Sequence, residues 1–230
     1  MARQVEGARQ GRRGRGNRAG LDLDQIVEAA RSLEPGEITM HAVADRLGVD
    51  PKALNHHVGN RENLLRVIAR EAFSANFSTV EITAQSPWED ACRTYATGLV
   101  DSLIATGGVV GQLPLDDPLI PRALEPTEAL LAKWIAAGLE LGTAQRALVL
   151  LSSICMAFAR DFLQADHEAE PLRHRLLRQA LSGRDAAQYE NLAHISADPV
   201  DTYNRSQLDF SVDLFIRGTQ DLLASKADQT

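Results

Sequence analysis

The chain has 230 residues, of which 44% are hydrophobic and only 5% aromatic, and its net charge is −7. Such a length buries a full core, and abundant Ala and Leu with few aromatics favour helix over sheet. No apolar run approaches the roughly 20 residues that cross a bilayer, and the N-terminus lacks the apolar stretch of a secretory signal. Cys92 and Cys155 have no ligand-type spacing, so a cytoplasmic protein with reduced thiols and no membrane partner is expected.

The charge is unevenly placed. Residues 1–20 carry six arginines and one acid, Glu6, for a net +5, which leaves 18 bases and 30 acids in the remainder. The GRRGRGNRAG stretch cannot form a core and is expected to be disordered when free. It reads as a nucleic-acid arm, in which Arg12, Arg13, Arg15 and Arg18 suit a narrow, electronegative minor groove. The alternative is a cleaved or vestigial tail.

From Leu21 onward the periodicity is helical. Leu23, Ile26, Val27, Ala30 and Leu33 form one face of a first helix, stopped by Pro35-Gly36. Thr39 caps a second helix with Met40, Val43, Ala44 and Leu47 inward, ended by Gly48. Asp50 caps a short third helix with Pro51 in its first turn. After Gly59-Asn60 a longer fourth helix spans about 61–80. Further helices are expected near 87–105, 117–123, 126–138, 143–165, 171–182 and 203–224. LVLLSSICMAFA (148–159) reads as a buried core segment, and the glycine-rich 107–111 as a helix break rather than a dinucleotide loop. In the last helix Leu208, Val212, Phe215 and Leu222 form one stripe, widened by Phe210, Leu214 and Ile216. Either that helix is central to its domain or its second face packs on another subunit.

The segment TMHAVADRLGVDPKALNHHV (39–58) is the one that points to chemistry. His56 and His57 are helix neighbours about 100° apart, not a chelating i, i+4 pair. His41 lies on another helix and no Cys completes a set, so no metal and no cofactor are expected. A capped helix, a Gly-containing turn and a second short helix are instead the parts of a helix-turn-helix, although an ordinary helical hairpin has the same spacing. In a helix-turn-helix the second helix enters the major groove. Ala44, Leu47, Val49 and Leu54 would set the angle of the pair, leaving Lys52, Ala53, Asn55, His56 and His57 for phosphates and bases.

The order LDLDQIVEAARSL, TMHAVADRLGV, DPKALNHHVGNRENLL resembles the DNA-binding domain of TetR-family regulators. The family's Ala-Leu-Tyr-x-His-Phe signature reads Ala53-Leu54-Asn55-His56-His57-Val58 here, and its Asn-Lys-x-x-Leu-Leu reads Asn60-Arg61-Glu62-Asn63-Leu64-Leu65. The resemblance implies that Thr39, His57 and Arg61 contact phosphate. Asn55 departs from the family's phosphate-touching Tyr. SPWEDACRTYATGLVDSLI and LDFSVDLFIRGTQDLL are more loosely similar to the fifth and last helices of the tetracycline-repressor branch. That implies an intersubunit four-helix bundle and moves Leu208, Val212, Phe215 and Leu222 towards a dimer interface.

The resulting expectation is an all-α chain. Residues 1–20 form the arm, 21–72 a three-helix helix-turn-helix domain, and 73–230 a larger ligand-binding and dimerisation domain. A homodimer would bind a roughly palindromic double-stranded operator as a repressor, and a small-molecule effector would release it. Phe77, Tyr95, Leu99, Trp134 and Phe158 are candidate walls of the effector pocket, with plain core packing as their alternative. No catalytic set is recognisable. The competing readings are a ligand-independent architectural DNA binder and a helical enzyme or carrier.

Overall fold

The computed structural model describes residues 21–107, 124–165 and 170–227. The arginines expected to act at 12, 13, 15 and 18, and the helix expected at 117–123, lie outside them. The described residues form ten α-helices and no strand.

The first four helices begin where side chains satisfy the free amides of an opening turn. In α1 (Leu23–Arg31), Asp22 accepts from the Gln25 N–H at 2.8 Å while the Gln25 side chain accepts from the Asp22 N–H, a reciprocal cap. Thr39 caps α2 (Met40–Leu47) through the Ala42 N–H, and Asp50 caps α3 (Pro51–Val58) through the Lys52 N–H. Asn60 does the same for α4 (Arg61–Phe77) through the Asn63 N–H. Gly48 ends α2 at φ 65°, a left-handed conformation that other residues adopt only at a cost.

The body holds α5 (Trp88–Ala105), α6 (Leu124–Ala136), α7 (Leu141–Gln164), α8 (Leu172–Leu181), α9 (Glu190–Ala197) and α10 (Arg205–Ala227). Helix α6 lies two residues earlier than expected, with Pro126 near its start, where the missing N–H costs least. Helix α9 was not anticipated. Its only large apolar residues, Leu192 and Ile195, are about half exposed and none of its side chains is buried, so no core stripe marks it in the sequence.

Buried apolar side chains form two clusters. One gathers Ile26, Ala30, Val43, Leu54, Leu64 and Ile68 from α1–α4. The other begins at Phe73 and Phe77 on α4 and gathers Tyr95, Trp134, Leu151, Phe158 and Phe215 from the body. The changeover falls within α4, between Ala69 and Phe73. Helix α5 lies at the centre of the second cluster, packed on α4, α6, α7 and α10. Its outer edge is joined to α10 by contacts running in opposite directions: Glu89 with Gln220, Arg93 with Asp213, and Asp101 with Arg205.

Helix α7 is long and apolar enough to cross a membrane by length and composition, with mean hydropathy 1.5 over its most apolar stretch. The sequence reading set this aside because the longest apolar run, 148–159, is about half the length that crosses a bilayer. In the fold one stripe of α7 (Ala144, Ala147, Leu151, Cys155, Phe158, Ala159) is buried against the body, while Leu141, Val149 and Leu150 face outward.

Gly98 marks a close approach. A Cβ there would lie 2.2 Å from a Val80 methyl, so the segment after α4 is laid directly on α5. Gly98→Ala is expected to cost about 1–3 kcal/mol through overpacking. Thermal unfolding should record a fall in Tm of about 2–4 °C per kcal/mol.

Cys92 and Cys155 are unpaired and fully buried. Burial pushes each thiol from its ordinary value near 9 up to about 12. In the native chain neither should react with a disulfide reagent at pH 8, and both should react once it is unfolded. The folded-state values are raised, so this contribution is fully present below about pH 9 and lost as pH rises toward 12. Between those limits chemical denaturation should show stability falling by about 1.4 kcal/mol per pH unit for each thiol.

Candidate nucleic-acid interface

Helices α2 and α3 are held by Val43, Ala44, Leu54 and Val58, each at most 2% exposed. At about 100° per residue, burying Leu54 and Val58 leaves Lys52 and His56 on the opposite line of α3. Ala53 lies beside that line, with Asn55 and His57 on its two flanks. All five side chains are exposed. The His56 and His57 rings are 6.2 Å apart and tilted, and no described residue hydrogen-bonds the Lys52 or Asn55 side chain. Among the described residues no group of three or more His, Cys, Asp or Glu is placed to hold a metal ion.

Thr39 and Arg61 sit beside this helix pair with structural duties of their own. The Thr39 hydroxyl oxygen accepts from the Ala42 N–H at 3.1 Å, which leaves its O–H available to donate outward. Arg61 donates from Nε to the Ile38 carbonyl at 3.0 Å, joining the start of α4 to the start of α2. Its two terminal nitrogens remain for an anion. Arg46 clasps the end of α1 through the Ser32 hydroxyl at 2.8 Å and the Ser32 carbonyl at 3.2 Å. Sequence reading missed this clasp, because no local pattern announces a contact between side chains 14 residues apart. Residues 21–72 carry nine acids and six bases, so the head alone offers a polyanion little net attraction.

The five candidate wall residues are all buried, between 0% and 7% exposed. Phe77 and Tyr95 meet edge to face at 5.3 Å, and the Tyr95 hydroxyl lies 3.4 Å from that of Thr127. Burial raises the Tyr95 phenol above its ordinary value, against the opposing effect of its hydrogen bonds to Thr127 and Ser152. Trp134 stands apart from this pair. Its ring packs on Phe215 at 5.9 Å and its N–H donates to Cys92 Sγ at 3.2 Å, both core contacts. Phe158 stacks obliquely on Phe162. Two surface clefts of about 540 Å³ lie between α7 and α8 and between α1 and α4–α5, and none of the five lines either.

Three of the four residues expected on a subunit interface face this chain's own core instead. Leu208, Val212 and Phe215 are 2–7% exposed and belong to the body cluster, together with Ile216. A continuous apolar stripe is the signature of whichever face is buried within the subunit, and here the subunit takes it. Leu222 does face outward, alongside Phe210 and Leu214, each at least half exposed.

Against solved structures, this arrangement of helices recurs along nearly the whole chain. The ActR protein of Streptomyces coelicolor in complex with actinorhodin superposes with a TM-score of 0.70 at 21% identity, covering 88% of this chain and 96% of that one. The chain has the TetR fold. A second TetR protein from S. coelicolor gives 0.65 at 23% identity, over 88% and 99% of the two chains. TetR from Acinetobacter baumannii AYE gives 0.60 at 16% identity, over 89% and 99%. No protein-family model matches the chain, and no curated protein does. Within this fold the pair α2–α3 packs with α1 and the first half of α4, while the second half of α4 packs with α5, α6, α7 and α10.

Proposed function

We propose that this chain is a TetR-type transcriptional regulator, not an enzyme, that binds double-stranded DNA through α3. The observation that carries the proposal is the helix pair α2–α3, rigidly packed on one side and presenting five exposed side chains on the other. We divide the chain at residue 72, in keeping with the changeover between the two apolar clusters. Lys52, Ala53, Asn55, His56 and His57 then meet the DNA, with Thr39 and Arg61 on phosphates and Arg12, Arg13, Arg15 and Arg18 reaching flanking minor grooves.

The body acts as the sensor and the dimer contact. ActR has been solved with actinorhodin and with (S)-DNPA, which supports a small-molecule effector for a chain of the same fold. Phe77, Tyr95, Leu99 and Phe158 are its proposed wall, while Trp134 is better explained as core. The outward Phe210, Leu214 and Leu222 of α10, with Val149 and Leu150 of α7, form the proposed face between two copies. A C2 dimer places two copies of α3 about 34–36 Å apart or a multiple of that, so the operator is roughly palindromic. As a cytoplasmic repressor it leaves that operator when an effector favours a head spacing that no longer fits.

Selection from random duplexes by the purified full-length chain tests this. Recovery of a palindrome is the expected result. Steeply salt-dependent binding with no enriched sequence would replace the regulator by an architectural DNA binder.

A further inference from the structure

We infer that Lys52 and His56 form a donor ridge that reads guanine in the major groove, so that each half-site carries two G·C pairs no more than two base-pair steps apart. The inference rests on the DNA-binding reading above and adds the base identity. Lys52 and His56 are four residues apart on the line of α3 farthest from the buried Leu54 and Val58. They are therefore the side chains that reach deepest when α3 lies in a groove, whereas Asn55 and His57 point toward its two walls.

The chemistry of that line is weighted toward donors. A lysine ammonium offers three donors and no acceptor, and a neutral imidazole offers one donor beside one acceptor, which becomes a second donor on protonation. Ala53, next to them, offers only a methyl. Asp50, the nearest carboxylate on the helix, is turned onto the helix start, where it accepts from the Lys52 N–H at 2.8 Å. In the major groove guanine presents two adjacent acceptors, N7 and O6, while adenine sets a donor beside its N7. A donor ridge is satisfied by the first pattern and meets a second donor in the other. Four residues of helix rise about 6 Å, and successive bases on a strand are about 3.4 Å apart. The two contacts consequently fall within two steps.

The test is the random-duplex selection run with the full-length wild type, Lys52→Ala, His56→Ala and His57→Ala. Wild type should yield a palindrome with two guanine positions in each half. Lys52→Ala should reduce the preference at one of them, and His56→Ala at the other, each by about 5- to 150-fold. His57→Ala should weaken binding without changing the selected bases. A second measurement needs no variant: replacing each guanine by 7-deazaguanine, which removes N7 and keeps pairing intact, should weaken wild-type binding. A palindrome without those guanines overturns the inference and leaves the regulator standing. So do guanine positions indifferent both to the two substitutions and to 7-deazaguanine. No palindrome at all overturns the regulator and the inference together.

Discussion

Removing residues 1–20 should cut the salt sensitivity of DNA binding sharply. Each neutralised phosphate contributes about −0.9 to the slope of log K against log salt, so four arginines are worth about 3.6 per arm. Between about 50 and 200 mM salt that is roughly two decades of affinity, which the truncated chain no longer has to lose. The effect is large because residues 21–72 compensate so little: their nine acids outnumber their six bases. Fluorescence anisotropy titrations of both forms across that salt range provide the comparison, using one selected duplex. Parallel slopes would mean that the arm touches no phosphate and that Lys52, His57, Arg61 and the helix ends suffice. The bases selected in the half-sites should be the same for both forms, since phosphate contacts carry no sequence information.

Trp134→Ala should cost about 3–5 kcal/mol of stability, the range for truncating a large buried aromatic. Trp134 is 0% exposed, spans from α6 to Phe215 on α10, and spends its N–H on Cys92 of α5. Its loss opens a void where three helices meet and strips the Cys92 sulfur of its donor. A domain whose net stability is about 5–15 kcal/mol gives up a large part of it. Urea unfolding followed by far-UV circular dichroism measures the shift in midpoint. The same variant separates core from pocket: a wall residue would change effector affinity as well as the midpoint, whereas a purely core residue moves the midpoint alone. Phe77→Ala is the companion, because Phe77 joins α4 to Tyr95 and its loss should also loosen the coupling between head and body.

The head was more legible than the body. Thr39 and Asp50 each announce a helix start by local chemistry, and Gly48 announces a stop. All of that operates within four residues. In α10 the sequence displays a stripe but not the owner of the stripe. Leu208, Val212 and Phe215 have the spacing of any buried face, and only the packing of α5 and α7 assigns them to this subunit. The clasp of Arg46 on Ser32 and the closeness of Val80 to Gly98 likewise depend on distant chain segments. Among the candidate site residues, the outward set on α3 follows from helix period once the inward set is known. The walls of an effector pocket do not, because Phe77 or Phe158 looks the same in sequence whether it lines a cavity or fills one.

Residues 170–201 link α7 to α10 with hardly any interior of their own. His174 is the one side chain of α8 and α9 that is buried, and Leu172, Leu176, Leu192 and Ile195 stand about half exposed. Arg173 ties this link to its neighbours, pairing with Asp161 of α7 and lying over the Tyr203 ring, while Arg178 pairs with Glu170 inside the link itself. Opening a helix that buries nothing uncovers almost no apolar surface, so α9 can exchange its amide hydrogens with solvent without the body unfolding. Raising salt, which screens ion pairs and leaves apolar packing intact, should hasten exchange in α8 while α5 and α7 stay protected. In the free chain, protection would therefore be graded, lowest across α8 and α9 and highest around Trp134.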